Sequence, residues 1–336
     1  IDPRVAPFEK YLSVVQANPG KTLLFNDVDI MHGLMNGLRS GNDLIRGKRN
    51  LGVIAFENTL FDDEAKARGG KYDFIVCHSR FNQDMLHAAG FSDVRLAWQG
   101  VDPPEMVTPP RRNRFGDRFV IFSGGKLEFR KAQDVVVEAF RRFHARRPDS
   151  VLVTAWHNPW PQFGLDMAES RIAKVPPTID KASNRLNITQ WALANGVPES
   201  AFVDLGFLSR AQMTEAMAEV DAAVFPNRCE GATNLVAMEA MGCGIPCVIA
   251  ANSGQLDLLI EPDVCFPLTR QTQLNNPRGT RTGWCESDPD EIVENLEKIY
   301  ADRAEAGRRA ARGRDFLLRQ RTWRQFAEVF VAECDR

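Results

Sequence analysis

CEGATNLVAMEAMGCGIPCV, residues 229–248, reads as a small-residue loop, a helix and the start of a strand. Thr233 or Asn234 can cap the helix, which leaves its first N–H groups free and its positive dipole end facing outward. Such an end binds anions readily. The apolar run AAVF lies just before this stretch and PCVIAAN (246–252) closes it, so the helix joins two strands. This unit decides the fold because its neighbours repeat it.

Upstream, RFVIFSGG (118–125), SVLVTAWHN (150–158), AFVDLGF (201–207) and DAAVFPN (221–227) read as strands, and VCFPL (264–268) follows downstream. Between them lie the helix candidates AQDVVVEAFRRFHARR, NITQWALANG, RAQMTEAMAEV and GQLDLLI, with apolar residues three or four apart. Nearly continuous apolar strands suit a parallel sheet covered on both faces, so this half is a doubly wound α/β domain. The first hundred residues are sparser: KTLLFND (21–27), NLGVIAFENT (50–59), DFIVCHS (73–79) and VRLAWQG (94–100) read as strands, with a helix at RFNQDMLHAAG. The proline-rich stretch 101–117 disfavours helix and central strand alike.

The expected organisation is an N-terminal Rossmann-like domain over 1–105, a linker over 106–117 and a C-terminal Rossmann-like domain over 118–315. An amphipathic terminal helix over 316–336 is expected to pack back on the first domain. A chain of 336 residues supports two domains of ordinary size. The net charge of -2 gives no field for nucleic acid. Seven cysteines without paired spacings point to a reducing compartment, the cytoplasm, and no stretch approaches a membrane span. Peripheral contact with the inner face of a membrane stays open, as does the oligomeric state. Cys243 and Cys247 read as packing residues rather than metal ligands, since no further ligand completes a set.

A second stretch, SGGKLEFRKAQDVV (123–136), ends a strand in two glycines, followed by Lys126, Arg130 and Lys131. Glycine lets a ligand approach the backbone at Gly125, and cations at the carboxyl edge of a parallel strand suit a phosphate. By itself it reads equally as a solvated charged turn. Glu239, inside the helix, is placed to accept vicinal hydroxyls or to stand exposed. Asp27 and Asp29 in NDVDIMH mimic a short metal-binding pattern, and His32 and His157 are lone histidines, the latter at a strand end where it can line a nucleoside pocket.

Together the two stretches resemble the retaining GT-B glycosyltransferases of family 4. GKL at 125–127 is followed by Lys131, and EGATNLVAMEAMGCGIP at 230–246 is similar to that family's two-glutamate motif. FVDLGFLSRAQMTEAMAEVDAAVFPN (202–227), CHSRFNQDMLHAAGF and Gly-Val-Asp at 100–102 extend the resemblance over most of the chain. It implies two Rossmann-like domains facing across a cleft, and retaining, metal-independent transfer of a sugar from a nucleotide donor, such as a UDP- or GDP-sugar, to a hydroxyl acceptor. Lys126 and Lys131 would bind the diphosphate and Glu239 the ribose, while Glu230 would sit beside the transferred sugar. The N–H groups of Ala232, Thr233, Asn234 and Leu235 would cradle phosphate, and Gly206 and Phe207 would face the base.

The chain departs from the family in two places. Eight residues separate Glu230 from Glu239 where the family has seven, so Gly231 is an alternative occupant of the first motif position. Glu57 stands where many relatives carry a histidine, and is a candidate contact to acceptor or donor. Nothing before Lys21 reads as the family's opening strand and glycine-rich loop, so the first domain looks cut short. A nucleotide-sugar epimerase and a silent nucleotide-sugar-binding module are the alternative readings.

Overall fold

The computed structural model describes residues 6–336. In the C-terminal domain, six parallel strands span Phe119–Gly124, Ser150–Ala155, Phe202–Asp204, Ala222–Phe225, Cys247–Ala250 and Phe266–Leu268. Numbered along the chain, they lie in the order third, second, first, fourth, fifth, sixth. The order reverses between the first and fourth strands, where a crevice opens at their carboxyl ends. The loops that leave those ends carry GKLEFRK and NRCEGATN, so topology sets the two decisive stretches side by side.

Alternation along the strands builds a core on each face. Phe119 and Ile121 pack with Phe140, Phe143, Trp156 and Leu296, whereas Val120 and Phe122 pack with Phe225, Met238 and Phe316. Each such side chain contributes about 1.5–3 kcal/mol on leaving water.

The N-terminal sheet holds four parallel strands in sequence, Ile30–Met35, Asn50–Ile54, Phe74–Cys77 and Val94–Leu96, with Arg39–Ser40 antiparallel at its edge. KTLLFND does not belong to this sheet: only Leu23–Leu24 is extended, paired with Ile45–Arg46 in a separate ribbon. The place expected for it is taken by Ile30–Met35, whose polar His32 and Gly33 hid the strand. GQLDLLI is likewise a 3-10 segment, Ser253–Leu258, rather than an α-helix.

Two chain crossings join the domains and lie against one another. The Val101 N–H donates to the Arg321 carbonyl at 2.9 Å, and the Trp323 N–H donates to the Val101 carbonyl at 3.2 Å. Gly100 is required here, because a Cβ would stand 2.2 Å from the Thr322 carbonyl carbon. Helix Arg303–Gln320 stays on the C-terminal core through Phe316 and Leu317, so the return crossing falls after 316. Helix Trp323–Asp335 then covers the N-terminal sheet, with Phe326, Phe330 and Cys334 against Leu51, Phe74, Val76 and Ala97. The stretch 106–117 is strapped to the C-terminal domain: the Arg112 and Arg114 N–H groups donate to the Glu219 carboxylate, and Arg111 pairs with Asp221 at 2.8 Å.

An arm forms a third link. Gln271–Gln273 pairs antiparallel with Cys285–Ser287, and its tip reaches the first domain. The Thr59 N–H donates to the Thr280 carbonyl at 3.0 Å, and the Trp284 indole donates to the Glu57 carbonyl at 2.9 Å.

Candidate active site in the interdomain cleft

The helix that opens the decisive stretch begins at Leu235, because Asn234 adopts a left-handed conformation (φ 66°) and caps the Ala237 N–H. Among the described residues, no backbone N–H from Gly231 to Val236 donates a hydrogen bond to the protein. Six donors therefore gather at a positive helix end, and Ala232, Leu235 and Val236 are partly open to solvent. Small residues let the loop lie close to its surroundings. A Cβ on Gly231 would meet the Phe56 carbonyl oxygen of the first domain at 2.3 Å, and one on Gly254 would meet the Ala232 carbonyl oxygen at 1.8 Å.

Beside this loop lies a buried ionic cluster. Lys131 Nζ contacts Glu230 Oε1 at 2.5 Å, and Arg130 contacts Glu230 at 3.0 Å, Glu128 at 2.9 Å and Glu57 at 3.3 Å. Asn227 also donates to Glu230. Burial opposes the Glu230 charge, but Lys131 and Arg130 outweigh it and hold the carboxyl below its usual range. Burial, only partly offset by Glu230, draws the Lys131 ammonium below its own. Burial also works against the Arg130 charge, and the Glu57, Glu230 and Glu128 carboxylates more than reverse that effect. Lys126, more exposed, pairs with Glu128 at 3.2 Å and lies 5.1 Å from the centre of the Trp160 ring. Lys126, Arg130 and Lys131 thus face Glu57, Glu128 and Glu230, and the cluster is neutral as a whole.

The candidates do not share one cavity. Glu57, Lys126, Glu128 and Arg130 line an interdomain chamber of about 520 Å³, with Asn36, Asn58, Trp160, Phe163, Asp166, Thr280, Arg281 and Trp284. Gly206 and Phe207 line a separate concavity with His157, Asn158 and Asp204. Glu239 opens instead into a small recess with Glu105, Leu208 and Arg210, where burial raises its carboxyl pKa although Arg210 opposes the shift. Gly125 has φ 104°, where only glycine is at ease, and its backbone passes the Lys131 side chain. Thr233 and Asn234 are buried in the loop, the Asn234 amide donating to Gln255 at 2.9 Å.

Asp27 and Asp29 are turned to other work. Asp27 accepts from Tyr11 and Lys10, and Asp29 pairs with Arg49 at 2.6 Å. His32 lies buried against Asn50, and His157 packs edge-on against Phe207 at 5.7 Å. Asp166, Trp160, Phe163 and the arm carry no local sequence signal, because their convergence depends on long-range packing. Asp166 accepts the Phe129 N–H at 2.8 Å, and burial pushes its pKa up to about 6.

A carboxyl whose folded pKa exceeds its unfolded value adds stability below the unfolded pKa, near 4, and loses it as pH rises through about 6. Asp166→Asn is therefore expected to melt above the parent at pH 8, with the gain shrinking through pH 5 and nearly gone at pH 3.5, as read by thermal scans across that range.

Two Rossmann-type domains facing a cleft, the second with its strands in dinucleotide-fold order, define the GT-B architecture expected from the sequence. Solved structures agree. HepE from Anabaena, in complex with UDP and glucose, superimposes with a TM-score of 0.66 at 15% identity, over 85% of this chain and 71% of that one. Sucrose-phosphate synthase from Thermosynechococcus elongatus gives 0.63 at 17% identity, over 97% and 76%. A glycosyltransferase from Rickettsia africae gives 0.64 at 10% identity, over 96% and 78%. Within this class, residues 206–330 match the family described as family 4 glycosyltransferase in conflict systems. No curated protein matches the sequence.

Proposed function

We propose that this chain transfers a glycosyl group from a nucleoside diphosphate sugar to a hydroxyl acceptor, with retention and without a metal ion. The observation that carries the reading is the row of six unpaired N–H groups from Gly231 to Val236, directly after the Glu230 that holds Lys131, at the reversal point of the second sheet. Preorganised donors of this kind stabilise the charge that develops on a departing diphosphate. The complex of HepE with UDP and glucose and the match to a family 4 profile support the same chemistry.

In this reading the diphosphate lies along the loop 231–236, the base in the concavity of Gly206, Phe207 and His157, and the sugar toward Glu230 and Glu57. Binding would draw Lys126 from Glu128 to the phosphate, exchanging one carboxylate partner for another anion. Glu239 would serve the ribose from the neighbouring recess through a shift of the 206–210 loop. The reaction belongs to a reducing compartment, the cytoplasm, which seven unpaired cysteines support, and peripheral membrane contact is compatible with it. Among the described residues, no helix is long and apolar enough to cross a membrane.

Lys126→Ala is expected to weaken UDP or GDP binding at least tenfold by titration calorimetry, with an unchanged melting temperature. Parent-like affinity would remove Lys126 from the donor site. Product analysis with UDP- and GDP-sugars, with and without a chelator, tests the reaction itself. A new nucleotide sugar would mean epimerisation, nucleotide-sugar binding without turnover would mean a silent module, and loss of transfer with chelator would mean a metal requirement.

A further inference from the structure

The interdomain chamber holds more than the proposed donor chemistry uses. Trp160 and Phe163 lie three residues apart around one 3-10 turn, where i and i+3 side chains share a side. They remain 52% and 55% exposed, although large aromatic side chains in such a cleft would ordinarily be covered. Trp284 and Arg281, from the arm, line the same chamber.

Its polar groups have a definite character. Every cation on the wall is already engaged, Lys126 by Glu128, Arg130 by Glu57, Glu128 and Glu230, and Arg281 by Glu169 at 2.7 Å. Asp166 has no ion-pair partner among the described residues, and the Phe129 N–H occupies only one of its oxygens. Asn58 uses its side-chain oxygen on the Leu60 N–H, and Asn36 uses its own on the Asn58 N–H, which leaves both NH2 groups available. The chamber therefore offers free acceptors, free amide donors and two half-exposed aromatic rings, that of Trp160 shared with Lys126 at 5.1 Å, while each wall cation is paired with a carboxylate.

We propose that the part of this chamber built by Trp160, Phe163, Asp166 and Asn58 is a subsite for a carbohydrate acceptor, one or two rings long. The proposal rests on the glycosyltransferase reading. A sugar ring presents an apolar C–H face to an aromatic side chain, while its hydroxyls both donate and accept. With Lys126 drawn to the donor phosphate, the other wall cations, Arg130 and Arg281, stay paired with carboxylates, which favours a neutral acceptor. About 520 Å³ falls within the ordinary range for a small-molecule site, and the arm bounds it on one side. The aromatic platform and Asp166 come from the second domain and the Asn58 amide from the first, so acceptor choice is written into the segment 158–169 together with Asn58.

The test uses maltose as probe, with saturation-transfer NMR on the full chain and UDP titration in parallel. The parent should transfer saturation to maltose, and Trp160→Ala and Phe163→Ser should each reduce the signal at least fivefold. Both positions are exposed, so folding is checked by melting temperature. Asp166→Asn, which keeps the shape, should reduce it without lowering that temperature. Equal signals in parent and variants would overturn the subsite, as would UDP binding by the parent with no maltose signal. Displacement of maltose by spermidine would overturn it in favour of a cationic ligand. Failure to bind any nucleoside diphosphate would instead sink the donor reading, and the maltose comparison would still judge the subsite on its own.

Discussion

Arg228→Met is expected to destabilise the protein by about 3–5 kcal/mol, the cost typical of breaking a buried ion pair from one side. Arg228 has no exposed surface. Its guanidinium grips Asp134 with two nitrogens, at 2.8 and 2.6 Å, contacts Glu286 of the arm at 2.6 Å and donates to the Phe129 carbonyl at 2.7 Å. Burial opposes the arginine charge, and Asp134 and Glu286 together more than restore it. Methionine fills much of the volume but leaves the Asp134 carboxylate buried with only neutral help, from Ser170. Lysine would fare little better, since a point charge cannot reproduce the planar fork. Urea unfolding at pH 7 reads the loss as a lower midpoint with an unchanged slope. Arg228→Met combined with Asp134→Asn should recover part of it. A midpoint equal to the parent's would show that this junction of cleft loop, helix and arm is held by other contacts.

The second large effect is expected at Gly231. Alanine there would place a methyl group 2.3 Å from the Phe56 carbonyl oxygen, a backbone atom of the other domain that cannot rotate away. The strain of about 1–3 kcal/mol typical of overpacking is relieved only by parting the domains at the loop that carries the free N–H groups. The Ser79 hydroxyl, which donates to the Gly231 carbonyl at 2.6 Å, would be pulled with it. Misplacement by about 1 Å can cost on the order of a hundredfold in rate, and that is the expected loss of glycosyl transfer. Gly33→Ala is the control, because a Cβ there meets nothing within 4 Å. Steady-state rates of the two variants decide the matter. Parent-like turnover by Gly231→Ala would mean that close approach of the domains at this point is not needed.

Much of the second domain was legible because its strands are short, nearly unbroken apolar runs, and a doubly wound sheet buries them on both faces. The first domain was harder. Leu23 and Leu24 look like strand residues in the sequence, yet Leu24 stands in solvent, while IMHGLM conceals a true strand behind a histidine and a glycine. His32 is buried because Asn50 on the next strand meets its ring nitrogen and Tyr72 packs against it. That compensation is tertiary, and no local pattern announces it. At the site, glycines and cations drew attention to the stretch 123–136, whose Lys126, Arg130 and Lys131 do gather at the interdomain cleft. They did not show that Glu128 and Glu57 would neutralise its cations, or that Lys126 and Glu239 would line different hollows. The arm was invisible for a similar reason: Gln271–Gln273 and Cys285–Ser287 are polar strands held by each other and by Arg228 and Asn252, not by apolar periodicity.

Helix Trp323–Asp335 has a bearing on how the molecule is assembled in time. The strands it covers lie far upstream, and the Arg49 contact to the Cys334 carbonyl spans 285 residues of sequence. Until that helix arrives, Leu51, Phe74, Val76 and Ala97 present an apolar sheet face without its cover. The domain that begins the chain is thus finished late, after the entire second domain has been threaded between its parts. Closing so long a loop is entropically slow, which makes this the step at which a nascent chain depends most on protection from aggregation. Lesions in helix Trp323–Asp335 should then surface as misfolding of the sheet it covers, far upstream in the chain.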